Sequence, residues 1–399
     1  MKDVGVVMPV YKQNPVYLEL ALRSVLQQSY RDFHFVIVSD GAPAETVDVI
    51  KRVTAGDARV KLIIKEKNEG VPPTLNLGFD YLMKLPEVKY LTWVSSDNIY
   101  YPAFLVKLRA ALEKAPANVG LSFSTFTHVD HNRIPLQGDQ YKYFNKYQNQ
   151  PKENLLEVCF IGVSFMYKKS AAAKISGYRL APVEDYDYWL RITEHCEIVF
   201  VPTVLMEYRT NSPDSISAQL KSSKSEHRRW RYAFNLAKLE ARNRRNIPFK
   251  VTVIYPVQDA SEQVMNKLDD LYEQTFSVFK VIIIDRSINQ TATKQIQTIS
   301  DPRVKIIPLP QAGKRQAILE GLKEANTPYT LVYGEGAFPS TQFVLSNMVT
   351  NFDLQKRNNI ISLFEFGGGN VTGRYTLQQN EPLAGHLYRT IKLREMMHG

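Results

Sequence analysis

Two short motifs place carboxylates where they could do chemistry, and the first is SSDN at 95–98. Asp97 is its only carboxylate, and it follows the apolar run YLTWV. A hard divalent cation takes carboxylate and phosphate oxygens and keeps some of its waters. One carboxylate at the end of a buried strand therefore predicts a metal held largely by the diphosphate of a ligand. The alternative is that Asp97 caps the helix expected over 102–114.

The second motif, EDYDYWLR, holds Glu184, Asp185 and Asp187 at the start of an aromatic helix. A carboxylate fixed there is held rigidly, and desolvation beside aromatic surface raises its basicity. Asp185 is therefore a candidate general base, with the N-cap of the helix as its alternative role. Asp187 lies two residues along the same helix, so we expect it to point elsewhere and to serve packing or capping.

The segments that must position these residues alternate between strand and helix. Predicted strands cover 4–10, 33–40, 60–64 and 90–94, and predicted helices cover 15–28, 45–54 and 74–85. This alternation predicts an α/β fold with a doubly wound parallel sheet. Ligands of such sheets bind beyond the carboxyl ends of the strands. The residues expected at that edge are Pro9, Asp40, Asn68, Gly70 and Asp97.

After residue 118 the pattern changes to a second lobe with fewer parallel crossovers, and the chain then repeats itself. VTVIYPV at 251 resembles VGVVMPV at 4, and DPRVKII at 301 resembles DARVKLI at 57. A third match pairs LYEQTFSVFKVIIID at 271 with VLQQSYRDFHFVIVSD at 25. Three matches in the same order indicate an internal duplication. We expect three parts, at 1–217, 218–248 and 249–399, the middle one a basic linker helix.

Composition narrows the class of protein. Hydrophobic residues make up 44% and charged residues 23% of the 399 positions, which is typical of a globular chain. The two cysteines, Cys159 and Cys196, allow neither a disulfide framework nor a cysteine-rich zinc site. The first residues break their apolar run too early for a signal peptide, and no stretch reaches the length of a membrane span. These features predict a cytoplasmic protein.

The formal charge of +10 is concentrated in the segment 221–245, which contains nine Lys or Arg residues and only two Glu. A linker helix with a solvated basic face explains this pattern. The alternatives are a surface for an anionic membrane or for an acidic polymer. Basic and aromatic residues are not interleaved as in nucleic-acid-binding motifs, so no nucleic-acid partner is expected.

Taken in order, four segments resemble the motif set of glycosyltransferase family 2. They are MPVYKQNPVYLELALRSVLQQSYRDFHFVIVSDG, NEGVPPTLN, SSDNIYYP and EDYDYWLR. The likeness covers about residues 4–217 and is closest to the spore-coat polysaccharide branch of the family. It implies the fold called GT-A, a Rossmann-like, mostly parallel sheet with a smaller acceptor lobe. The repeat from residue 249 would then be a degenerate and truncated GT-A-like copy.

The resemblance also implies a reaction and its partners. A nucleoside diphosphate-sugar, UDP- or dTDP-linked, would donate its sugar with inversion to a saccharide or glycan acceptor, with Mn²⁺ or Mg²⁺ as cofactor. Asp97 would bind the metal, and Asp185 would take the proton of the acceptor hydroxyl. The positions matched to nucleotide binding are Pro9, Tyr11, Asp40, Asn68, Gly70, Asn76, Ser96 and Arg209.

Three positions depart from the family pattern. Ser96 stands where many members have a second acidic residue, Leu75 where an arginine often precedes the asparagine, and Asn211 where a histidine is frequent. The segment EYRTNSPDSIS at 207–217 matches the loop that closes on the diphosphate, and Arg209 is its candidate phosphate partner.

Two other functions compete with a glycosyltransferase. A nicotinamide-dependent oxidoreductase needs a glycine-rich turn after the first strand, and YKQNP has no glycine. The other candidate is a carbohydrate- or nucleotide-binding scaffold, derived from a transferase and inactive. The repeat itself is expected to be catalytically silent, since Gly336 aligns with Asp97 and Glu335 lies one position earlier. Asp285 could still support weak nucleotide binding, and the repeat could serve in self-association.

Overall fold

The computed structural model describes residues 2–210, 219–220, 222–334, 338–354, 360–376 and 382–398. It divides into two compact units, Met1–Ala237 and Lys238–Gly399. The boundary falls inside one long basic helix, Lys224–Arg244. Among helices of the described residues, none combines the length and the apolar character that a membrane crossing requires.

The first unit alternates strands and helices as its apolar periodicity requires. Its strands are β1 (Val4–Val10), β2 (Phe33–Asp40), β3 (Val60–Lys65), β4 (Tyr90–Trp93), β5 (Ile99–Tyr100), β6 (Val119–Val129), β7 (Phe165–Lys168) and β8 (Glu197–Arg209). Its helices are α1 (Pro15–Leu26), α2 (Ala44–Thr54), α3 (Val71–Met83), α4 (Phe104–Lys114), α5 (Asp139–Lys142), α6 (Phe144–Gln148), α7 (Lys169–Ala172) and α8 (Glu184–Ile192), with a 3-10 turn at Lys152–Leu156. The long helix Lys224–Arg244 is α9.

One eight-stranded sheet organises this unit, in the order β3-β2-β1-β4-β7-β6-β8-β5. The first four strands run parallel, and β7 pairs antiparallel with both β4 and β6. Two reversals restore the direction, so β6 runs the same way as β4, and β8 is parallel to β6. The carboxyl ends of β1, β2, β4, β6 and β8 therefore share one edge of the sheet, where ligands of such sheets bind.

The start of α3 differs from the sequence-based expectation. The helix begins at Val71, three residues before Thr74, because Pro72 and Pro73 fit its first turn. A proline there gives up only an N–H that has no partner inside the helix, and its fixed φ suits the helix. Gly70 precedes it with a φ of 90°, a conformation that favours glycine.

The second unit repeats the same plan. Its strands are β9 (Val251–Val257), β10 (Phe279–Asp285), β11 (Val304–Pro308), β12 (Tyr329–Val332), β13 (Ser362–Gly367), β14 (Asn370–Arg374) and β15 (His386–Arg389). Its helices are α10 (Glu262–Tyr272), α11 (Thr291–Ile296), α12 (Lys314–Lys323), α13 (Val344–Leu354) and α14 (Thr390–His398), with a 3-10 turn at Ile288–Gln290. The sheet order is β11-β10-β9-β12-β15-β13-β14, which reproduces the first six positions of the other sheet strand for strand.

A buried glutamine fixes the same corner in both units. Gln28 Nε2 donates to the carbonyl of Tyr101 at 2.8 Å, and its Oε1 accepts from Leu105 N at 3.0 Å. Gln274 repeats this, donating to a carbonyl ahead of α13 and accepting from the second residue of that helix. One side chain thus satisfies an orphan N–H of a helix start in each unit. The two glutamines make the same pair of hydrogen bonds at corresponding places in the two sheets, which supports the duplication inferred from sequence.

A second repeated contact lies ahead of β3 and β11. Arg59 donates to both carboxylate oxygens of Asp57 and stacks over the ring of Phe33 at 4.5 Å. Arg303 does the same with Asp301, and its guanidinium lies 4.2 Å from the centre of the Phe279 ring. These pairs explain why DARV and DPRV recur in the sequence, because each arginine closes the turn that starts the strand.

Candidate active site

Asp97 lies in the loop that leaves β4 at the carboxyl edge of the sheet. The helix that follows begins at Phe104, and its cap position, Ala103, has no side-chain capping bond. The capping alternative for Asp97 is therefore wrong. Among the described residues, no other residue makes a hydrogen bond or an ion pair with its carboxylate. Burial raises the pKa of Asp97, and its own backbone N–H and the field of Arg209 only partly oppose this. A half-buried carboxylate with no side-chain partner fits a cation ligand.

No metal cluster is formed by protein groups alone within the described ranges. Groups of three or more His, Cys, Asp or Glu close enough to hold an ion are absent there. That a metal at Asp97 would depend on diphosphate oxygens from the donor stays a prediction.

Arg209, at the end of β8, is held by backbone carbonyls. Its Nε donates to Asp97 O at 3.2 Å, and its Nη1 donates to His131 O at 2.5 Å. The guanidinium also lies 3.9 Å from the ring centre of Tyr17, and the side chain is buried. Arg209 thus joins β8, the loop after β6 and the loop that carries Asp97. Its predicted contact with phosphate stays a prediction, and Asn211 and most of the closing loop lie outside the described residues.

Ser96 is tied to the end of β1. Gln13 Nε2 donates to Ser96 Oγ at 3.2 Å, so the hydroxyl bridges the loops after β1 and β4. Tyr11, predicted to bind the nucleotide, is 50% exposed in the loop after Pro9. The exposed ring stands at the same edge as Asp97, where a flat base could stack on it.

Asp40 organises the loop before α3. Its carboxylate accepts from the backbone N–H groups of Glu69 and Gly70 at 3.0 and 2.9 Å, and Lys65 Nζ lies 2.6 Å from Oδ1. Burial works against the charge of Lys65, but Asp40 and Glu69 together raise its pKa. Asn68, exposed, precedes these two amides. Asp40 therefore shapes the loop that was predicted to lie beside the nucleotide.

Asn76 links α3 to the segment before α8. Its Nδ2 donates to Tyr178 O at 2.9 Å, and its Oδ1 accepts from Tyr178 N at 2.7 Å. A Cβ on Gly177 would lie 2.2 Å from Asn76 Oδ1, so only glycine permits this approach. Asn76 thus positions the chain that leads to Asp185.

Asp185 is the second residue of α8. The cap position is Val183, which makes no side-chain capping bond, so the N-cap alternative for Asp185 is wrong. Its Oδ1 is buried without a hydrogen-bond partner, and so is Oε2 of Glu184. Burial, and then the charge of Glu184, raise the pKa of Asp185 well above its ordinary value, against a smaller effect of the Trp93 indole. Trp93 ends β4, so Asp185 stands beside the strand that leads to Asp97.

Asp187 has opposite surroundings. Arg191 Nε donates to its Oδ2 at 2.8 Å, and Arg179 Nη2 donates to its Oδ1 at 3.0 Å. The carboxylate is buried and fully paired. This is the structural role expected for Asp187, and it leaves Asp185 and its neighbour Glu184 as the carboxylates of this helix with an unsatisfied oxygen.

Sequence reasoning missed three contributors, Gln13, Lys65 and Trp93. Lys65 ends β3 one strand away from Asp40, so its position in a parallel register was a usable signal. Gln13 and Trp93 act through contacts with residues about 80 to 90 positions away, which no local pattern encodes.

The profile of the family described as glycosyl transferase family 2 matches residues 5–176 and 252–396. That is more than half of the chain. The chain belongs to glycosyltransferase family 2. It is therefore a nucleotide-sugar-dependent glycosyltransferase, and the predicted enzyme class is confirmed. Both copies match the same profile, which confirms the α/β GT-A-like fold and its repetition.

Individual relatives are more distant. An uncharacterized glycosyltransferase of Methanocaldococcus jannaschii, MJ1057, is 27% identical over 225 residues, covering 55% of this chain and 75% of the relative. The O-antigen biosynthesis glycosyltransferase WbnJ of Escherichia coli is 28% identical over 203 residues, covering 48% and 72%. Residues 1–349 of Staphylococcus aureus TarS, crystallised with UDP-GlcNAc, give a TM-score of 0.45 at 13% identity, covering 59% of this chain and 66% of that one. None of these relatives points to the spore-coat branch, which stays a prediction.

Proposed function

We propose that the first unit transfers a sugar, with inversion, from a UDP- or dTDP-linked donor to a saccharide or glycan acceptor. The observation that carries this proposal is the buried, unpartnered Oδ1 of Asp185 beside the strand that leads to Asp97. An unsatisfied buried oxygen costs free energy, and functional sites are where such costs are retained.

Asp185 is the proposed general base. Burial and the neighbouring Glu184 raise its pKa, which strengthens it as an acceptor for the proton of a sugar hydroxyl. The ion pairs of Asp187 with Arg179 and Arg191 hold α8 in place. The base is thereby kept at a fixed position while the acceptor hydroxyl attacks the anomeric carbon and the diphosphate departs.

Asp97 is the proposed protein ligand of Mn²⁺ or Mg²⁺. When bound, the ion would neutralise the charge that develops on the leaving diphosphate. Arg209, through the carbonyl of Asp97, holds the loop that presents this carboxylate. On the other side of β4, the loop shaped by Asp40 places Asn68 and Gly70 beside the nucleotide, and Tyr11 and Pro9 lie against the base and ribose.

A polysaccharide is the favoured acceptor class. The relative named for O-antigen biosynthesis covers 48% of the chain, and this supports a role in building a glycan. A cell-surface or spore-coat glycan would be a narrower case of the same class. The basic helix α9 is compatible with contact to an anionic membrane or an acidic polymer, and a cytoplasmic site of action stays a prediction.

Donor hydrolysis tests the enzyme against the scaffold alternative. We expect slow release of UDP or dTDP from sugar nucleotides in the presence of Mn²⁺ or Mg²⁺, and none with EDTA. The Asp97→Ala variant serves as the matched negative control. Release without metal, or equal release by that variant, would contradict the proposed site, and binding of donors without any turnover would favour the scaffold.

A further inference from the structure

A cavity of about 470 Å³ opens in the first unit between β6, β8 and the segment that follows β6. Pockets for small ligands commonly span roughly 300–1,000 Å³, so its size suits one. Its walls combine Thr125, Thr127 and His128 of β6 with Tyr141 of α5 and Val204 of β8. None of these residues belongs to the donor and metal site described above.

The cavity offers hydrogen-bonding groups that the chain itself does not use. Within the described residues, the hydroxyls of Thr125, Thr127 and Tyr141 and the ring nitrogens of His128 have no hydrogen-bond partner. They are also not among the fully buried polar atoms, so they face the cavity or solvent. Burial lowers the pKa of His128 to about 4, which leaves the imidazole neutral and able to both donate and accept.

Aromatic rings stand next to these polar groups. The His128 ring lies 5.1 Å from Phe126, 5.0 Å from Tyr141, 4.8 Å from Phe144 and 5.6 Å from Tyr208, between ring centres. A pyranose has the complementary surface, with hydroxyls that each donate and accept around its rim and an apolar C–H face. Lys142 also lines the cavity, but it is exposed and its ammonium lies over the ring of Tyr143, which does not line the cavity. The aromatic and hydroxyl-bearing walls therefore match a neutral sugar better than a nucleotide or an anion.

Buried contacts hold the walls of the cavity in place. Gln148, fully buried at the end of α6, donates to Ser124 O of β6 at 3.4 Å and to Phe160 O at 3.2 Å, so it ties α6 to the sheet. Gly162 has a φ of 70°, and a Cβ there would lie 2.8 Å from the Phe126 ring. The close approach of this backbone keeps Phe126 in place, so the cavity is preorganised.

The position of the cavity relates it to the reaction. Thr125 to His128 form the carboxyl end of β6, which runs the same way as β4 and ends at the same edge as Asp97. His128 pairs with Tyr208, one residue before Arg209, which contacts the Asp97 carbonyl. Asp40 lies in β2, on the other side of β4 in the sheet order. The cavity is thus on the opposite side of Asp97 from the loop proposed to hold the nucleotide.

We propose that this cavity binds a neutral pyranose unit of the acceptor glycan, with His128 and Tyr141 as specificity-determining residues. Its designation as an acceptor site depends on the proposed function, while sugar binding in the cavity does not.

Histidine-detected NMR on the full chain tests the proposal directly. With ¹⁵N-labelled histidine, we expect methyl glycosides of glucose, galactose, mannose, N-acetylglucosamine or rhamnose to shift the ring signals of His128, without donor or metal. The signals of His34, which is paired to Glu87 at 3.0 Å, are the internal control. If no glycoside in this set shifts His128, the proposal is wrong.

The variant His128→Phe keeps an aromatic ring and removes both nitrogens. We expect it to weaken binding of the responsive glycoside about tenfold, the size of one good hydrogen bond. Tyr143→Phe is the matched control, since Tyr143 lies on the same segment, is 46% exposed and does not line the cavity. Unchanged glycoside affinity in His128→Phe would overturn the proposal.

Turnover separates this inference from the proposed function. We expect His128→Phe to raise KM for the glycoside acceptor and Tyr143→Phe to leave that KM unchanged. If the wild type hydrolyses donor but His128 does not respond to sugars, the cavity proposal alone fails. If sugars bind at His128 but no donor is turned over, the proposed function alone fails.

Discussion

The Nε of Arg209 donates a hydrogen bond of 3.2 Å to the backbone carbonyl of Asp97. This contact joins the end of β8 to the loop that would present the metal ligand. From the sequence, the same arginine was predicted to bind phosphate by its charge. The two roles differ in what they require, because positioning needs the planar fork of the guanidinium and attraction needs only a cation.

Replacing Arg209 with Lys distinguishes these roles. We expect the variant to bind UDP with Mn²⁺ more weakly and to unfold at a lower temperature, because one ammonium group cannot reach the carbonyls of both Asp97 and His131. Calorimetry and thermal unfolding measure the two effects. The control is Arg133→Lys, which alters the ion pair between Arg133 and Glu207 but none of the contacts that Arg209 makes. Normal UDP affinity in Arg209→Lys would show that charge alone matters there.

Replacing Asp185 with Asn should abolish sugar transfer and leave nucleotide affinity nearly unchanged. It should also stabilise the fold at neutral pH, by roughly 1–3 kcal/mol, since it removes an unsatisfied buried carboxylate. The pKa of Asp185 is raised in the folded state, so its ionisation destabilises the fold once the pH exceeds the ordinary carboxyl pKa. Turnover assays and thermal unfolding measure the two opposite effects.

Asp187→Asn is the matched control two residues away. It breaks the pairs with Arg179 and Arg191 at a buried position, so the unfolding temperature should fall. Folded Asp187→Asn should still transfer sugar, although more slowly, because the ion pairs that hold α8 are lost while the carboxylate of Asp185 remains. If Asp185→Asn kept near-normal turnover, or if Asp187→Asn abolished it without loss of stability, the assignment of the base would be wrong.

How far the sequence predicts this molecule depends on the range of each contact. The strands of the parallel part, the change of pattern after residue 118 and the duplication follow from apolar periodicity and from repeated segments such as DARV and DPRV. The reversal at β7 and the contacts of Gln28 and Arg209 were not predicted, and the partners of the two side chains lie 73 and 112 positions away. The capping roles considered for Asp97 and Asp185 failed for a local reason, since both helices begin without a side-chain cap.

Glu184 should tune the pH dependence of the reaction. Its negative charge raises the pKa of Asp185, so Glu184→Gln should lower that pKa. Because the base must be deprotonated, kcat/KM rises with pH through this pKa, and the rising limb should move to lower pH in the variant. The pH profile of transfer provides the measurement. A limb that stays in place or moves upward would remove Glu184 from the titration of the pair.

Metal and nucleotide should bind together at Asp97. The described residues provide no cluster of protein ligands, so Mn²⁺ alone should bind weakly, and UDP should raise its affinity. Asp97→Ala should remove the metal dependence of UDP binding, and Asp97→Asn should weaken it. Titration calorimetry with and without UDP measures this coupling. Strong Mn²⁺ binding to nucleotide-free protein would contradict the prediction.

The second unit should bind no nucleotide of its own. Asp285, the counterpart of Asp40, is fully buried and accepts four hydrogen bonds, from the N–H and hydroxyl groups of Ser287 and Thr293. Burial acts to raise the pKa of Asp285, but these bonds hold it below its ordinary value. In the first unit this carboxylate binds the backbone of the loop before α3, whereas in the second unit its oxygens accept hydrogen bonds from residues that closely follow it in the chain. The predicted counterpart of Asp97, Gly336, and its neighbour Glu335 lie outside the described residues.

Binding stoichiometry and one substitution test this difference. We expect one UDP per chain in the presence of Mn²⁺, and the affinity gained from Mn²⁺ should be lost in Asp97→Ala. Asp285→Asn should lower the free energy of unfolding of its unit by roughly 1–3 kcal/mol, because an amide nitrogen cannot accept from Thr293. Since the pKa of Asp285 is depressed, the stability it contributes is present at neutral pH and is lost as the pH falls through that pKa. The variant should therefore lose less stability in acid than the wild type, while its transferase activity is retained. Two equivalent UDP sites per chain, or loss of UDP binding in Asp285→Asn with the first unit intact, would show that the second copy retains a working nucleotide site.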